Sequence, residues 1–223
     1  MLQTASQPAY AGPVEIIAHR GASHDAPENT LASIGLAWEQ GTDGVEIDVM
    51  LSRDGEIVLF HDEDLQRLAG VASKISDLTY TELRRLDVGK WKHSKWSGEG
   101  IPLLTAALAS IPKGKRMFVE LKTGTAIVPK LKKVVGEVNK HPSQIVFISF
   151  NYELCRQVKT ELPEHEAAFI SRYRVEKPGD NPTPSINSLI NRVLAAGLDA
   201  LDLDGNSPIG ATEAANIKAA GLN

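Results

Sequence analysis

Glu46 and Asp48 stand two residues apart inside the apolar run Val45-Glu46-Ile47-Asp48-Val49. On a strand, that spacing turns both carboxylates to one face. Burying two like charges together is costly unless a cation or a proton holds them. A third acid, Glu120, alternates with apolar residues in Val119-Glu120-Leu121-Lys122, and His19-Arg20-Gly21 closes another apolar run. Carboxylates, cationic side chains and a histidine at strand ends describe a metal-assisted site for an anionic substrate.

Holding these groups in place takes strands, and the pattern provides them. Val14 to Ala18 reads as a short strand, and Asn29 as the N-cap of a helix whose Leu31, Ile34 and Trp38 share a face. Val45 to Val49 is the next strand. Met117 to Leu121 is another, followed by a helix through Ile127, Leu131, Val134, Val135 and Val138. Ile145 to Phe150 is a strand, with a helix around Leu154 and Val158 after it. Ala167 to Ile170 and Asp199 to Leu203 are two more strands, separated by a helix over Leu189, Val193 and Leu194, and a last helix covers Thr212 to Ala220. Repeated β-α units of this kind imply a parallel sheet with helices outside.

Two features interrupt the alternation. Asp54-Gly55 lies between Val49-Met50-Leu51 and Ile57-Val58-Leu59-Phe60, a hairpin signal. With those two residues as the turn, Arg53 pairs with Glu56, and counting back sets His61 opposite Asp48. The stretch from 62 to 100 is too long for a simple loop. Thr79 begins a short helix through Leu83 and Leu86, and Trp91 to Gly100 is irregular, so the segment reads as an insertion capping one end of the sheet.

Bulk properties narrow the function classes. The 223 residues fit one domain, 42% of them are hydrophobic, and the net charge is −4. With no basic tract and no aromatic-basic interleaving, nucleic acid is excluded as a partner class. The single cysteine, Cys155, leaves no internal disulfide and sits in a helical setting that suits a buried core residue. No apolar run approaches the ~20 residues of a spanning helix. Residues 1–13 read as a loose polar leader without a basic start or an apolar segment. The sequence therefore favours a cytoplasmic protein, with an exported form whose signal has been removed as the alternative. It fixes no oligomeric state.

The order and spacing of His19-Arg20-Gly21, Pro27-Glu28-Asn29-Thr30, Gly44-Val45-Glu46-Ile47-Asp48-Val49, Asp54-Gly55, His61-Asp62 and Glu120-Leu121-Lys122 resemble the glycerophosphodiester phosphodiesterases. The resemblance runs from about residue 14 to the C-terminus. It implies an α/β fold, the phospholipase-C-like (β/α)8 TIM barrel with a small insertion. It also implies hydrolysis of glycerophosphodiesters to glycerol 3-phosphate and an alcohol with one divalent cation. On this resemblance Glu46, Asp48 and Glu120 are the metal ligands, and oxygen-only ligation suits Mg²⁺ or Ca²⁺. His19 and His61 are the general acid and base, unassigned between them, while Arg20 and Lys122 contact phosphate. Glu28 and Asn29 support the site, although a helix cap accounts for Asn29 equally well.

Related lipid phosphodiesterases of the lysophospholipase D or sphingomyelinase D type carry compatible motifs. A non-catalytic phosphodiester-binding remnant is a third reading, with intact His19 and His61 against it. His24, His93, His141 and His165 read as surface residues, and Asp202 and Asp204 as strand-end salt-bridge partners. Six helix-alternating strands are two short of a closed barrel, and the family's Trp-Thr-x-Asn segment is absent. The expectation is a domain over 14–223 truncated before its last two β/α units, with open edges at the first and last strands. The natural protein is expected to continue past Asn223 by roughly thirty residues.

Overall fold

The computed structural model describes residues 14–175 and 180–223, so the expected leader over 1–13 lies outside the described residues. Its strands are β1 (Ile17–His19), β2 (Gly44–Leu51), β3 (Ile57–Leu59), β4 (Arg116–Leu121), β5 (Ile145–Ser149), β6 (Glu166–Ser171) and β7 (Ala200–Leu203). Six run parallel in the order β1-β2-β4-β5-β6-β7, while β3 pairs antiparallel with β2. Between them lie α1 (Leu31–Glu39), α2 (Gln66–Ala69), α3 (Tyr80–Leu83), α4 (Leu104–Ala109), α5 (Val128–Glu137), α6 (Tyr152–Glu161) and α7 (Ile186–Ala195), with α8 (Ala211–Ala219) last. This is an α/β sheet of the TIM-barrel type, curled with its helices outside. Among the described residues, β1 pairs only with β2, and β7 only with β6.

Strand alternation divides the apolar residues into two layers. Val45, Ile47, Met117, Val119, Ile145 and Phe147 face the helices and share one core with Ile34, Leu131, Leu154, Val158, Leu189 and Val193. The opposite faces of β5, β6 and β7 bring Val146, Ile148, Ala168, Ile170 and Ala200 together with Phe118 inside the curl. A parallel strand covered on both faces reads as continuous apolar sequence, which is why Ile145–Ile148 carries no polar residue. Cys155 is buried as expected, with its thiol pushed up to about 12 by desolvation.

Several local expectations change. β1 begins at Ile17, and Val14 and Ile16 lie exposed. Because β1 covers only the first part of β2, the edge at Val49–Leu51 is free to take β3. The helix cap is Thr30, whose side chain accepts from the Ser33 N–H, while Asn29 sits one residue earlier at φ +56°. Leu194 points outward, because α7 buries Ile186, Leu189, Ile190 and Val193.

The hairpin register is shifted by one. Leu51 pairs with Ile57, and the Ser52 N–H donates to the Glu56 carbonyl at 2.9 Å, so the turn holds Arg53, Asp54 and Gly55. Gly55 at φ +77° supplies the left-handed residue that a three-residue hairpin loop requires. The Asp54 carboxylate accepts from the Ser52 hydroxyl at 2.6 Å and the Tyr80 N–H at 2.9 Å, which anchors the turn. Phe60, not His61, therefore lies opposite Asp48, its N–H 3.0 Å from the Asp48 carbonyl. The phenyl ring enters a second core of Met50, Val58, Leu65, Leu68, Ile75 and Leu83, which holds the 62–100 segment against the β2–β3 hairpin.

Candidate active site

The acidic residues meet where β2 and β4 run in register, with Asp48 beside Glu120. Oxygens of Glu46, Asp48 and Glu120 lie within 4.8 Å of one another. Asp48 is fully buried and Glu46 nearly so. Burial, with Asp48 beside it, raises the Glu46 carboxyl well above the usual carboxylate range, and the same two causes raise Glu120. Glu46 Oε1 and Asp48 Oδ1 are buried without a hydrogen bond. Two cations face the three acids. Arg20 Nε is 3.2 Å from Asp48 Oδ2, and Lys122 Nζ is 3.0 Å from Glu120 and 3.5 Å from Asp48 Oδ1.

The chain leaves β1 by a turn that only a few residue types allow. Arg20 and Gly21 take φ of +56° and +76°, which brings the Arg20 N–H to 2.9 Å from Glu46 Oε2. A Cβ on Gly21 would lie 2.5 Å from the Ser33 hydroxyl, and that hydroxyl donates to the Arg20 carbonyl at 3.0 Å. Asn29, also left-handed, donates from Nδ2 to Asp48 Oδ2 at 2.9 Å and accepts the Asp48 N–H at 3.0 Å. Asn and Asp are the non-glycine residues that best tolerate this backbone region.

His19 sits at the mouth with Nε2 3.8 Å from Glu46 Oε2. Desolvation and then the Arg20 charge lower its imidazole below the ordinary value. His61 lies close enough for its charge to bear on His19, and its Nδ1 is 2.7 Å from Asp62 Oδ1. Glu28 accepts Arg20 Nη1 at 2.9 Å and both terminal nitrogens of Arg67 at 2.7 and 2.8 Å. Eight of the nine expected site residues thus lie at the C-terminal ends of β1, β2 and β4 or in the loop after β1, the functional face of a barrel, and His61 follows the antiparallel β3. A cavity of about 910 Å³ reaches from His19 and Glu46 past Phe118 and Ile148 to Asp202.

Asp202 and Asp204 part company. Asp204 lies beyond the end of β7 and pairs with Arg174, as expected at a strand end. Asp202 faces the cavity, and burial raises its carboxyl. His165 is buried against Phe147, with ring centroids 5.6 Å apart, and is not a surface residue. Its place just before β6 puts it under the sheet, at the end away from the acids.

A model of the glycerophosphoryl diester phosphodiesterase family matches residues 19–220. The chain belongs to that family. It is 34% identical over 168 residues to the glycerophosphodiester phosphodiesterase of Caldanaerobacter subterraneus subsp. tengcongensis, covering 73% of this chain and 69% of that one. The solved phosphodiesterase of Oleispira antarctica, in complex with sn-glycerol-3-phosphate, is 31% identical with a TM-score of 0.82, covering 94% of this chain and 82% of that one. The glycerophosphodiester phosphodiesterase of Thermotoga maritima is 26% identical with a TM-score of 0.65, over 86% and 74% of the two chains.

For this phosphodiesterase, Glu46 Oε1, buried without a hydrogen bond, and Asp48 Oδ1, which has only the Lys122 ammonium at 3.5 Å, test whether a metal fits. A buried acceptor left without a donor is costly, and a hard divalent cation bound by oxygen alone would satisfy both acids. The donor set fits. Sequence reasoning did not single out Arg67, whose guanidinium bonds both Glu28 and Asp62. Arg67 lies 39 residues from Glu28, and no local pattern links them. Among the described residues, no helix is long and apolar enough to cross a membrane.

Proposed function

We propose that this phosphodiesterase hydrolyses glycerophosphodiesters to glycerol 3-phosphate and an alcohol, using a divalent cation and two histidines. One observation carries the reading. Three converging carboxylates, two of them with an unbonded buried oxygen, are flanked by Arg20, Lys122, His19 and His61. The names of the relatives, and the glycerol phosphate bound by the Oleispira protein, support the same substrate class.

Glu46, Asp48 and Glu120 would hold Mg²⁺ or Ca²⁺, which when bound polarises a phosphoryl oxygen. Arg20 and Lys122 grip the phosphate, the guanidinium at two points and the ammonium at one. Of His19 and His61, one takes a proton from the attacking water and the other returns a proton to the departing alkoxide. A P–O bond forms to water as the P–O bond to the alcohol breaks, and the protons balance. Asn29 and Glu28 keep Asp48 and Arg20 in place. Release of glycerol 3-phosphate from glycerophosphocholine and glycerophosphoethanolamine, with and without chelator, tests this. Chelator-sensitive release is expected, and no release from any glycerophosphodiester with Mg²⁺ or Ca²⁺ present would overturn it.

A further inference from the structure

Between the acid cluster and His61 runs an unbroken series of charged contacts. Arg20 Nε faces Asp48, and Arg20 Nη1 donates to Glu28. Glu28 receives Arg67 Nη1 and Nη2 at 2.8 and 2.7 Å, and Arg67 Nε donates to Asp62 Oδ2 at 2.6 Å. Asp62 Oδ1 then meets His61 Nδ1 at 2.7 Å. Arg67 is the one member from α2, where the neighbouring Leu65 and Leu68 are buried in the second core. That core anchors the backbone from which the Arg67 side chain reaches Glu28 and Asp62.

We propose, resting on the phosphodiesterase reading above, that Arg67 is a positioning residue that sets the orientation and tautomer of His61 through Asp62. Asp62 bonded at Nδ1 makes that nitrogen the protonated one and leaves Nε2 free for proton transfer. Asp62 uses one oxygen for the imidazole, and its second oxygen accepts Arg67 Nε at 2.6 Å, so the two contacts together fix the carboxylate plane. Arg67 occupies that oxygen while its other two nitrogens clamp Glu28. Only a planar fork can do all three at once, so lysine is not a substitute. An isolated exposed ion pair contributes little, but a fork joining two carboxylates fixes a direction that a single pair does not. The 62–100 segment therefore supplies the residues that orient His61 as well as covering the hairpin.

The test uses Arg67→Lys, Arg67→Met and Asp62→Asn in the full chain. Turnover and KM are measured with glycerophosphocholine at saturating Mg²⁺, and the His61 tautomer by ¹⁵N–¹H correlation of the imidazole. In the unaltered protein His61 is expected in the Nδ1–H form. Each variant should lower kcat by about 10- to 100-fold with KM within about threefold, and the ring should become a tautomer mixture. Arg67→Met combined with Asp62→Asn should be no worse than the more damaged single variant, because the two act as a unit. An unchanged kcat overturns the proposal, and so does a loss of activity with the tautomer unaltered, which marks a merely structural role. If the unaltered protein hydrolyses nothing, the phosphodiesterase reading fails, and the tautomer measurement still decides whether Arg67 orients His61.

Discussion

Asn29 and Asp48 hold each other at two points. The amide donates to Asp48 Oδ2 at 2.9 Å, and its carbonyl accepts the Asp48 N–H at 3.0 Å. Asp48 is fully buried in the sheet, so this clasp decides which of its oxygens remains open toward Glu46 and Glu120. Asn29→Asp keeps the shape and the left-handed backbone but sets one carboxylate against another. It should lower stability by about 1–3 kcal/mol, read from a denaturant midpoint, and weaken Mg²⁺ binding. An unchanged midpoint would show the clasp to be dispensable.

Removal of Glu120 should abolish chelator-sensitive turnover, beyond the ~10- to 100-fold that loss of an outer partner costs. The metal-free fold should melt no lower, because Glu120 is one of three mutually repelling acids and burial already raises its carboxyl. Calorimetric titration of Glu120→Ala with Mg²⁺ and Ca²⁺ checks the site directly. Full metal affinity in this variant would remove Glu120 from the ligand set.

His19→Ala and His61→Ala should each lower kcat by ~10²- to 10⁴-fold while moving KM far less. Steady-state kinetics on one glycerophosphodiester suffices. A drop of less than tenfold for both would favour a pocket that binds phosphodiesters without acid–base work.

Gly21→Ala meets two obstacles, a φ of +76° and a Cβ placed 2.5 Å from the Ser33 hydroxyl and 2.6 Å from the Ser33 carbonyl carbon. The expected cost is ~1–3 kcal/mol or more of stability. Activity should fall as well, since the same turn carries the Arg20 N–H to Glu46. A variant with both properties unchanged would mean the turn can relax.

Arg67 leads the contacts that hold Asp62 down to about 2, against an ordinary 3.8. A depressed carboxylate adds stability above its unfolded value and loses it as pH falls through its folded value. The penalty for Asp62→Asn should therefore be full at pH 5 and shrink between about 3.8 and 2. Urea midpoints of both proteins across that window measure it, and a constant difference would contradict the assignment.

Residue types and spacing sufficed for the parallel α/β architecture and for picking out side chains that the fold brings close together. Glu46 and Asp48 share a face because strand geometry has a period of two, and Glu120 joins them because β2 and β4 run in register. The strands β5 and β6 were legible because burial on both faces leaves the apolar runs Ile145–Ile148 and Ala167–Ile170. The hairpin register was not legible. A two- or three-residue turn fits Asp54-Gly55 equally well, and contacts from Ser52 and Tyr80 on Asp54 made the choice. Asn29 looked like a cap because a cap is a local matter, whereas its bonds to Asp48 cross 19 residues. His165 looked like a surface residue for the same reason, since only packing against Phe147 decides its burial. Arg67 lies furthest from sequence reasoning. Its three bonds join two loops through a core of its own, and only the folded chain brings their charges together.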